Sequence, residues 1–134
     1  MSEYYKPLPK PSPTSRPFWE AARRHELTLQ RCGACRAYIY YPRDRCPKCF
    51  SDQLAWERVS GRGKVYSYTV VRRASSRAFS DAPYVLAIVE LAEGPRMTSN
   101  IVAAPEAVRV EMPVEVFFDD VTDEITLPKF RATG

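Results

Sequence analysis

The chain has four cysteines, and they fall in two Cys-x-x-Cys pairs, Cys32-Gly33-Ala34-Cys35 and Cys46-Pro47-Lys48-Cys49. Four thiolates at this spacing suit a tetrahedral metal: zinc meets sulfur at about 2.3 Å, and a two-residue gap lets each pair grip from one tight knuckle. The ten residues from Arg36 to Arg45 suffice for a hairpin that returns the second knuckle to the first. Two disulfides would use the same cysteines, but nothing else points to an oxidising compartment. A redox pair would call for a βαβ context that is missing here. Four thiolates also suit a one-iron electron-transfer centre. Such sites often carry a glycine after the second cysteine; Arg36 and Phe50 stand there instead, which makes the sharp turn less expected. Zinc is favoured. A closed four-sulfur site has no open position for substrate, so one zinc per chain would staple the fold and catalyse nothing.

Around the cysteines the pattern reads as a ribbon, residues 27–60. Leu27–Arg31 alternates into the first knuckle, Ala37–Tyr41 is a second strand stopped by Pro42, and Leu54–Val59 is a third. So small a sheet buries too little to stand without its metal. Upstream, Pro7, Pro9, Pro11 and Pro13 make residues 1–14 an extended arm. A helix is predicted over 15–26, capped by Thr14 or Ser15, with Phe18, Trp19 and Ala22 on its apolar side. Downstream of a Ser60–Gly63 junction, residues 61–134 read as all-β: Val65–Val71, Tyr84–Leu91, Met97–Ala103, Val114–Phe118 and Ile125–Phe130, with one helical turn at Pro105–Val108. Arg72–Ala82 reads as a loop and Asp119–Glu124 as an acidic turn. Five strands after a ribbon, with that turn between the third and fourth, suit a Greek-key barrel of the OB type. The fold class is therefore mainly β: an N-terminal helix, a rubredoxin-like zinc ribbon and a five-stranded OB barrel. Val65, Val85, Val89 and Val114 are expected to point inward.

Charge divides the chain. Residues 1–80 hold 16 Lys+Arg and 6 Asp+Glu, whereas residues 81–134 hold 4 and 10, giving +10 and −6 within a net +4. A basic half fits nucleic acid, cofactor phosphates or an acidic protein surface, and it equally fits two faces that attract each other within the fold. The first residues show no signal-peptide pattern, and no window approaches the ~20 apolar residues of a membrane helix, so a cytoplasmic protein is expected.

Independent catalysis has few candidates. His25 is the one histidine and sits among charges; the cysteines are committed to metal. No nucleophile elbow, phosphate loop or calcium-loop pattern appears.

Taken in order, the Phe18-Trp19 helix, the four-cysteine ribbon, Gly61-Arg62-Gly63-Lys64-Val65-Tyr66-Ser67-Tyr68-Thr69-Val70, Pro83-Tyr84 and Leu127-Pro128-Lys129-Phe130-Arg131 resemble the acyl-CoA-associated zinc-ribbon/OB-fold family, a former domain of unknown function. The resemblance covers residues 16–131. It implies a non-catalytic accessory subunit of a thiolase-superfamily enzyme, a thiolase or a lipid-transfer-protein-like aldolase. A hydratase is a further possible partner, and the setting is steroid side-chain or lipid catabolism. The subunit would meet the CoA thioester only indirectly, and no CoA-binding residue is singled out. The family commonly has glycine where Glu111 stands, so a turn with positive φ is not expected there. Phe18, Trp19, Tyr66 and Tyr68, with Tyr4 and Tyr5 of the arm, exceed what so small a core needs; the first four are the expected partner contacts, with the arm wrapping the enzyme and the basic ribbon side facing the CoA entrance. The alternative is a single-stranded nucleic-acid module, with Tyr66 and Tyr68 on one strand face as a stacking platform beside Arg72, Arg73 and Arg77.

Overall fold

The computed structural model describes residues 6–73 and 83–133. Helix α1 spans Arg16–Arg23 and has Pro17 in its first turn, where a missing N–H costs nothing. Phe18, Ala21 and Ala22, spaced i, i+3, i+4, form its buried side. Ser15 is the N-cap position but makes no side-chain cap; its hydroxyl accepts from the Ser12 N–H at 2.9 Å instead. His25 adopts φ 62°, and the His25 and Glu26 N–H groups donate to Ala22 O and Ala21 O. This is a Schellman termination made without glycine, and it ends the helix before the predicted residue 26.

Three strands follow as one sheet in the order β2-β1-β3: β1 Thr28–Cys32, β2 Tyr38–Ile39 and β3 Leu54–Arg58. The second strand is shorter than the apolar run Ala37–Tyr41 suggests. Its last two tyrosines leave the sheet through a cis peptide bond, and their rings gather on Phe18, at centroid distances of 5.9 Å for Tyr40 and 6.3 Å for Tyr41. Burial pushes the Tyr40 hydroxyl up to about 12. Between the knuckles the chain is tied down by Gln30, 6 % exposed, whose amide donates to Arg43 O and accepts from Arg43 N–H at 2.8 and 2.7 Å.

The remaining strands, β4 Arg62–Val71, β5 Tyr84–Leu91, β6 Arg96–Ile101, β7 Pro113–Asp120 and β8 Thr126–Ala132, close into a barrel in the order β4-β5-β6-β8-β7. All neighbours are antiparallel except β6 and β8, which meet in parallel at Ile101 and Phe130. A 3₁₀ turn at Pro105–Ala107 makes the connection between β6 and β7. This is the five-stranded OB barrel that the strand count implies. Strand β4 starts at Arg62, inside the stretch read as a junction. A Cβ on Gly61 (φ 77°) would meet Val116 at 2.3 Å and one on Gly63 would meet the Glu90 carbonyl at 2.5 Å, so both positions are closed to any side chain. The predicted acidic turn begins two residues late: Asp119 and Asp120 belong to β7 and pair with β8. From residue 74 on, the loop read over 72–82 lies outside the described residues.

One core joins helix, ribbon and barrel. Phe18, Leu27 and Leu29 pack with Val65, Val85, Val89, Val114 and Phe130. The four valines expected to point inward are each 1 % exposed or less. The arm does not stand away from the molecule: Thr14 bonds Asp44 at 2.9 Å, and the Lys6 ammonium lies 5.8 Å from the centre of the Tyr84 ring. Tyr4 and Tyr5 lie outside the described residues.

Candidate metal centre and partner surface

Each knuckle is a tight turn in which the backbone faces its own sulfur. The Arg36 N–H returns to Cys32 O and the Phe50 N–H to Cys46 O, at 2.8 and 2.9 Å. Arg36 and Phe50 take φ 65° and 66°, so the turn proper to glycine forms with an arginine and a phenylalanine. The sharp turn made less expected by the missing glycines is present in both knuckles. Phe50 stays 72 % exposed, and the Arg45 guanidinium lies 5.1 Å from its ring centre.

The four sulfurs lie within 4.8 Å of one another, with Cys32 to Cys49 at 3.5 Å and Cys35 to Cys46 at 3.6 Å. A tetrahedral ion with sulfurs at about 2.3 Å sets them about 3.8 Å apart, so the donor set fits one zinc. Cys32 and Cys46 are buried while Cys35 and Cys49 are exposed. The Cys35 N–H, aimed at the Cys32 sulfur, holds that thiol down to about 6 against the opposing effect of burial. Cys46 is lowered in the same way by the Cys49 and Lys48 N–H groups. Cys49 goes the other way: the Ser51 N–H lowers it, but its bond with Cys32, partial desolvation of the sulfur, and the Cys35 and Cys46 thiols together push it up to about 12. Thiolate-stabilising N–H groups on both knuckles are what a zinc ligand set requires, and the centre is a structural zinc site.

The four aromatic residues singled out for partner contact have different fates. Phe18 is 1 % exposed and belongs to the core, so it is not a surface anchor. Trp19 is half-buried, set edge-on to Phe18 at 5.0 Å, and its indole N–H is buried with no acceptor among the described residues. Tyr66 and Tyr68 are exposed, at 42 % and 36 %, but they do not share a face. A bulge between Val65 and Ser67 resets the alternation, so Ser67 opposes Ile88 and Tyr68 opposes the buried Ala87. Tyr66 lies on the outer side, where the Arg96 guanidinium covers its ring at 3.7 Å. Tyr68 keeps its exposure because β4 pairs with β7 only over Arg62–Lys64.

His25 joins the end of α1 to the barrel. Its Nε2 lies 3.0 Å from Asp120, and its ring stacks on Phe118 at 5.3 Å. The Thr126 hydroxyl, and after it His25, hold the Asp120 carboxyl below its ordinary value. Sequence reasoning did not pair Lys64 with Glu111. Glu111 has φ 72°, its N–H donates to Val65 O, and its carboxylate meets Lys64 at 2.9 Å. The left-handed turn is therefore present at Glu111 despite the missing glycine, and this bond raises the Lys64 ammonium above its usual range. No helix of the described residues is long and apolar enough to cross a membrane.

A four-cysteine ribbon fused through a shared core to a closed OB barrel defines a zinc-ribbon/OB-fold protein. Residues 19–55 match the family described as "ChsH2, rubredoxin-like zinc ribbon domain" and residues 56–119 that described as "ChsH2, C-terminal OB-fold domain". The chain belongs to this DUF35/ChsH2 family. It is 41 % identical over 116 residues to a "Probable enoyl-CoA hydratase alpha subunit" of Thermomonospora curvata, covering 85 % of this chain but only 36 % of that protein. To a "DUF35 domain-containing scaffold protein" of Methanocaldococcus jannaschii it is 42 % identical over 103 residues, 75 % of this chain and 73 % of the relative. Among solved structures, a chain of "Ltp2-ChsH2(DUF35) aldolase" superposes with TM-score 0.84 at 37 % identity, over 93 % of this chain and 98 % of that one.

Proposed function

We propose that this chain is a non-catalytic subunit that binds and stabilises a thiolase-superfamily enzyme, a thiolase or lipid-transfer-protein-like aldolase, acting on acyl-CoA thioesters. The observation that carries this reading is the end-to-end likeness to a chain of an aldolase complex, 93 % of this chain against 98 % of that one. The residues agree with it. The one histidine is engaged through its Nε2 by Asp120, and the four cysteines converge on the metal. Tyr66, exposed on the outer side beneath Arg96, exposed Tyr68, and Trp19 beside the core supply partner contacts, and the basic ribbon side is turned toward the phosphates of the CoA thioester. Steroid side-chain or lipid catabolism is the setting. A stacking platform for single-stranded nucleic acid has less support, because the bulge parts Tyr66 from Tyr68 and Arg96 already covers the Tyr66 ring.

Reconstitution with the purified thiolase-superfamily enzymes of the same genome tests the reading. The chain alone should show no thiolase, aldolase or hydratase turnover, and it should form a stable complex with one of those enzymes. His25→Ala should leave the complex nearly as active as before. Turnover by the isolated chain, or salt-dependent oligonucleotide binding with no enzyme complex, would refute it.

A further inference from the structure

The second knuckle carries the most exposed large apolar side chain among the described residues. Phe50 is 72 % exposed and belongs to neither buried cluster. It stands at φ 66°, where a Cβ is strained and glycine is the ordinary choice. The turn itself is closed by main chain, from the Phe50 N–H to Cys46 O. Neither the turn nor the core uses the ring. It is nevertheless braced: the Arg45 guanidinium lies 5.1 Å from its centre and donates to Phe50 O at 3.3 Å. Aromatic rings and arginines held in this way are the residues that anchor protein interfaces. Charge around the ring is uncompensated. Residues 36–50 carry Arg36, Arg43, Arg45 and Lys48, all exposed, against one carboxylate, Asp44, which accepts from the Thr14 hydroxyl. Among the described residues none of these four cations meets a carboxylate. On the barrel, by contrast, Lys64, Arg96, Lys129 and Arg131 each do. The loop that presents the cations is fixed, since the buried Gln30 amide grips both main-chain groups of Arg43.

We propose that the second knuckle docks on an acidic surface of the partner enzyme, with the Phe50 ring in an apolar socket and carboxylates around it facing Arg43, Arg45 and Lys48. The inference rests on the reading of the chain as an enzyme's subunit, and adds where the enzyme is held and by what chemistry. Charge complementarity chooses the occupant: unpaired cations match a carboxylate-bearing surface and repel a basic one. Protein carboxylates fit better than the phosphates of a small ligand. A phosphate site gathers main-chain N–H groups and cations on one point. Here the knuckle N–H groups are already spent, those of Cys35 and Lys48 on sulfur and those of Arg36 and Phe50 on carbonyls. The cations are instead spread along the loop about one projecting ring. With the ribbon facing the CoA entrance, the knuckle sits on protein at its edge. Burial of the ring supplies the attraction, and the charges set partner choice and encounter rate.

The test uses the full chain and the purified thiolase-superfamily enzymes of the same genome, with affinity measured at several salt concentrations for whichever assembles. Phe50→Gly suits the left-handed turn and removes only the ring, so zinc content and melting temperature should not fall. It should weaken assembly about 30-fold or more, as loss of an aromatic hot spot does. Arg43→Gln/Lys48→Gln, at exposed positions, should weaken it about threefold to tenfold at low salt and flatten its salt dependence. Arg131→Gln, on the barrel and already met by Glu115, should change neither. If Phe50→Gly binds like the parent, the knuckle is not the docking site while the subunit reading stands. An equal loss in Arg131→Gln would make the attraction a matter of net charge and overturn the assignment to the knuckle. Coenzyme A alone, added to saturation, should leave the parent's affinity as it is. If it weakens assembly of the parent but not of Arg43→Gln/Lys48→Gln, these cations serve phosphate and the acidic surface is refuted. Should the parent chain assemble with none of the enzymes, the subunit reading falls, and this one with it.

Discussion

Around the metal, the buried side chains are Cys32, Ile39 and Cys46, with Leu54 packed partly against them. In the barrel a run of valines, leucines, methionines and Phe130 fills the interior, joined by Phe18 from the helix. Both regions are antiparallel sheet for the most part, yet one is held by four sulfurs and the other by apolar contact. The division falls inside a single strand. Leu29 on β1 belongs to the barrel's core, and Cys32, three residues on, belongs to the metal. Zinc therefore does not support the ribbon as a separate body. It holds the half that has no core, while the half near α1 is held by the barrel.

The largest effect that would break this comparison is loss of the metal. Cys46→Ser leaves three thiolates on an incomplete site, and zinc content should fall from one per chain toward none. In hydrogen exchange, the knuckle amides of Arg36 and Phe50 should lose protection, while those of β4, β5 and β7 keep it. If chelation melts barrel and knuckles together, the two regions are one cooperative unit.

Next in size is the opposite perturbation. Phe18 is 1 % exposed at the meeting of helix, ribbon and barrel. Phe18→Ala should cost about 3–5 kcal/mol of global stability in denaturant unfolding, the range for large-to-small changes in a closed core. Zinc stoichiometry should stay at one, because no metal ligand packs on this ring. A loss of zinc with the stability would mean that the knuckles depend on the core after all.

What could be read in the sequence follows the same division. The cysteine spacing announced the metal centre, since four sulfurs at fixed intervals leave few other arrangements. Alternation named the inward valines, and a near-continuous apolar run named strand β5, Tyr84–Leu91, to the residue. Phe18 and Trp19 are adjacent, and a helix turns about 100° between them, so both cannot be fully buried in one core; pattern alone does not say which one is. The face of Tyr68 was hidden by the bulge at Tyr66, which inserts one residue into the alternation without a glycine to mark it. Asp119 and Asp120 read as turn residues because they are acidic, but their partners, Lys129 for one and Thr126 and His25 for the other, come from distant parts of the chain. The absence of glycine misled twice over, in the knuckles and at Glu111.

Those left-handed residues allow the finest comparison of the two regions. Phe50 in the ribbon and Glu111 in the barrel have φ 66° and 72°, where a Cβ costs about 1–2 kcal/mol relative to glycine. Glycine at either position removes that strain but widens the unfolded ensemble, which offsets roughly 0.5–1 kcal/mol. Phe50→Gly also loses the contact with Arg45, and Glu111→Gly loses its ion pair with Lys64, an exposed pair that water screens. Net gains should therefore be small in both cases, with melting temperatures raised by about 2–4 °C or less. The gain at Glu111 should persist after chelation, because the barrel turn is held by Val65 and not by metal. At Phe50 it should vanish when zinc is removed, since only the closed knuckle imposes the left-handed turn. Equal shifts at both sites with and without zinc would show that the ribbon keeps its turns unaided, and the contrast between the two regions would fail at its finest point.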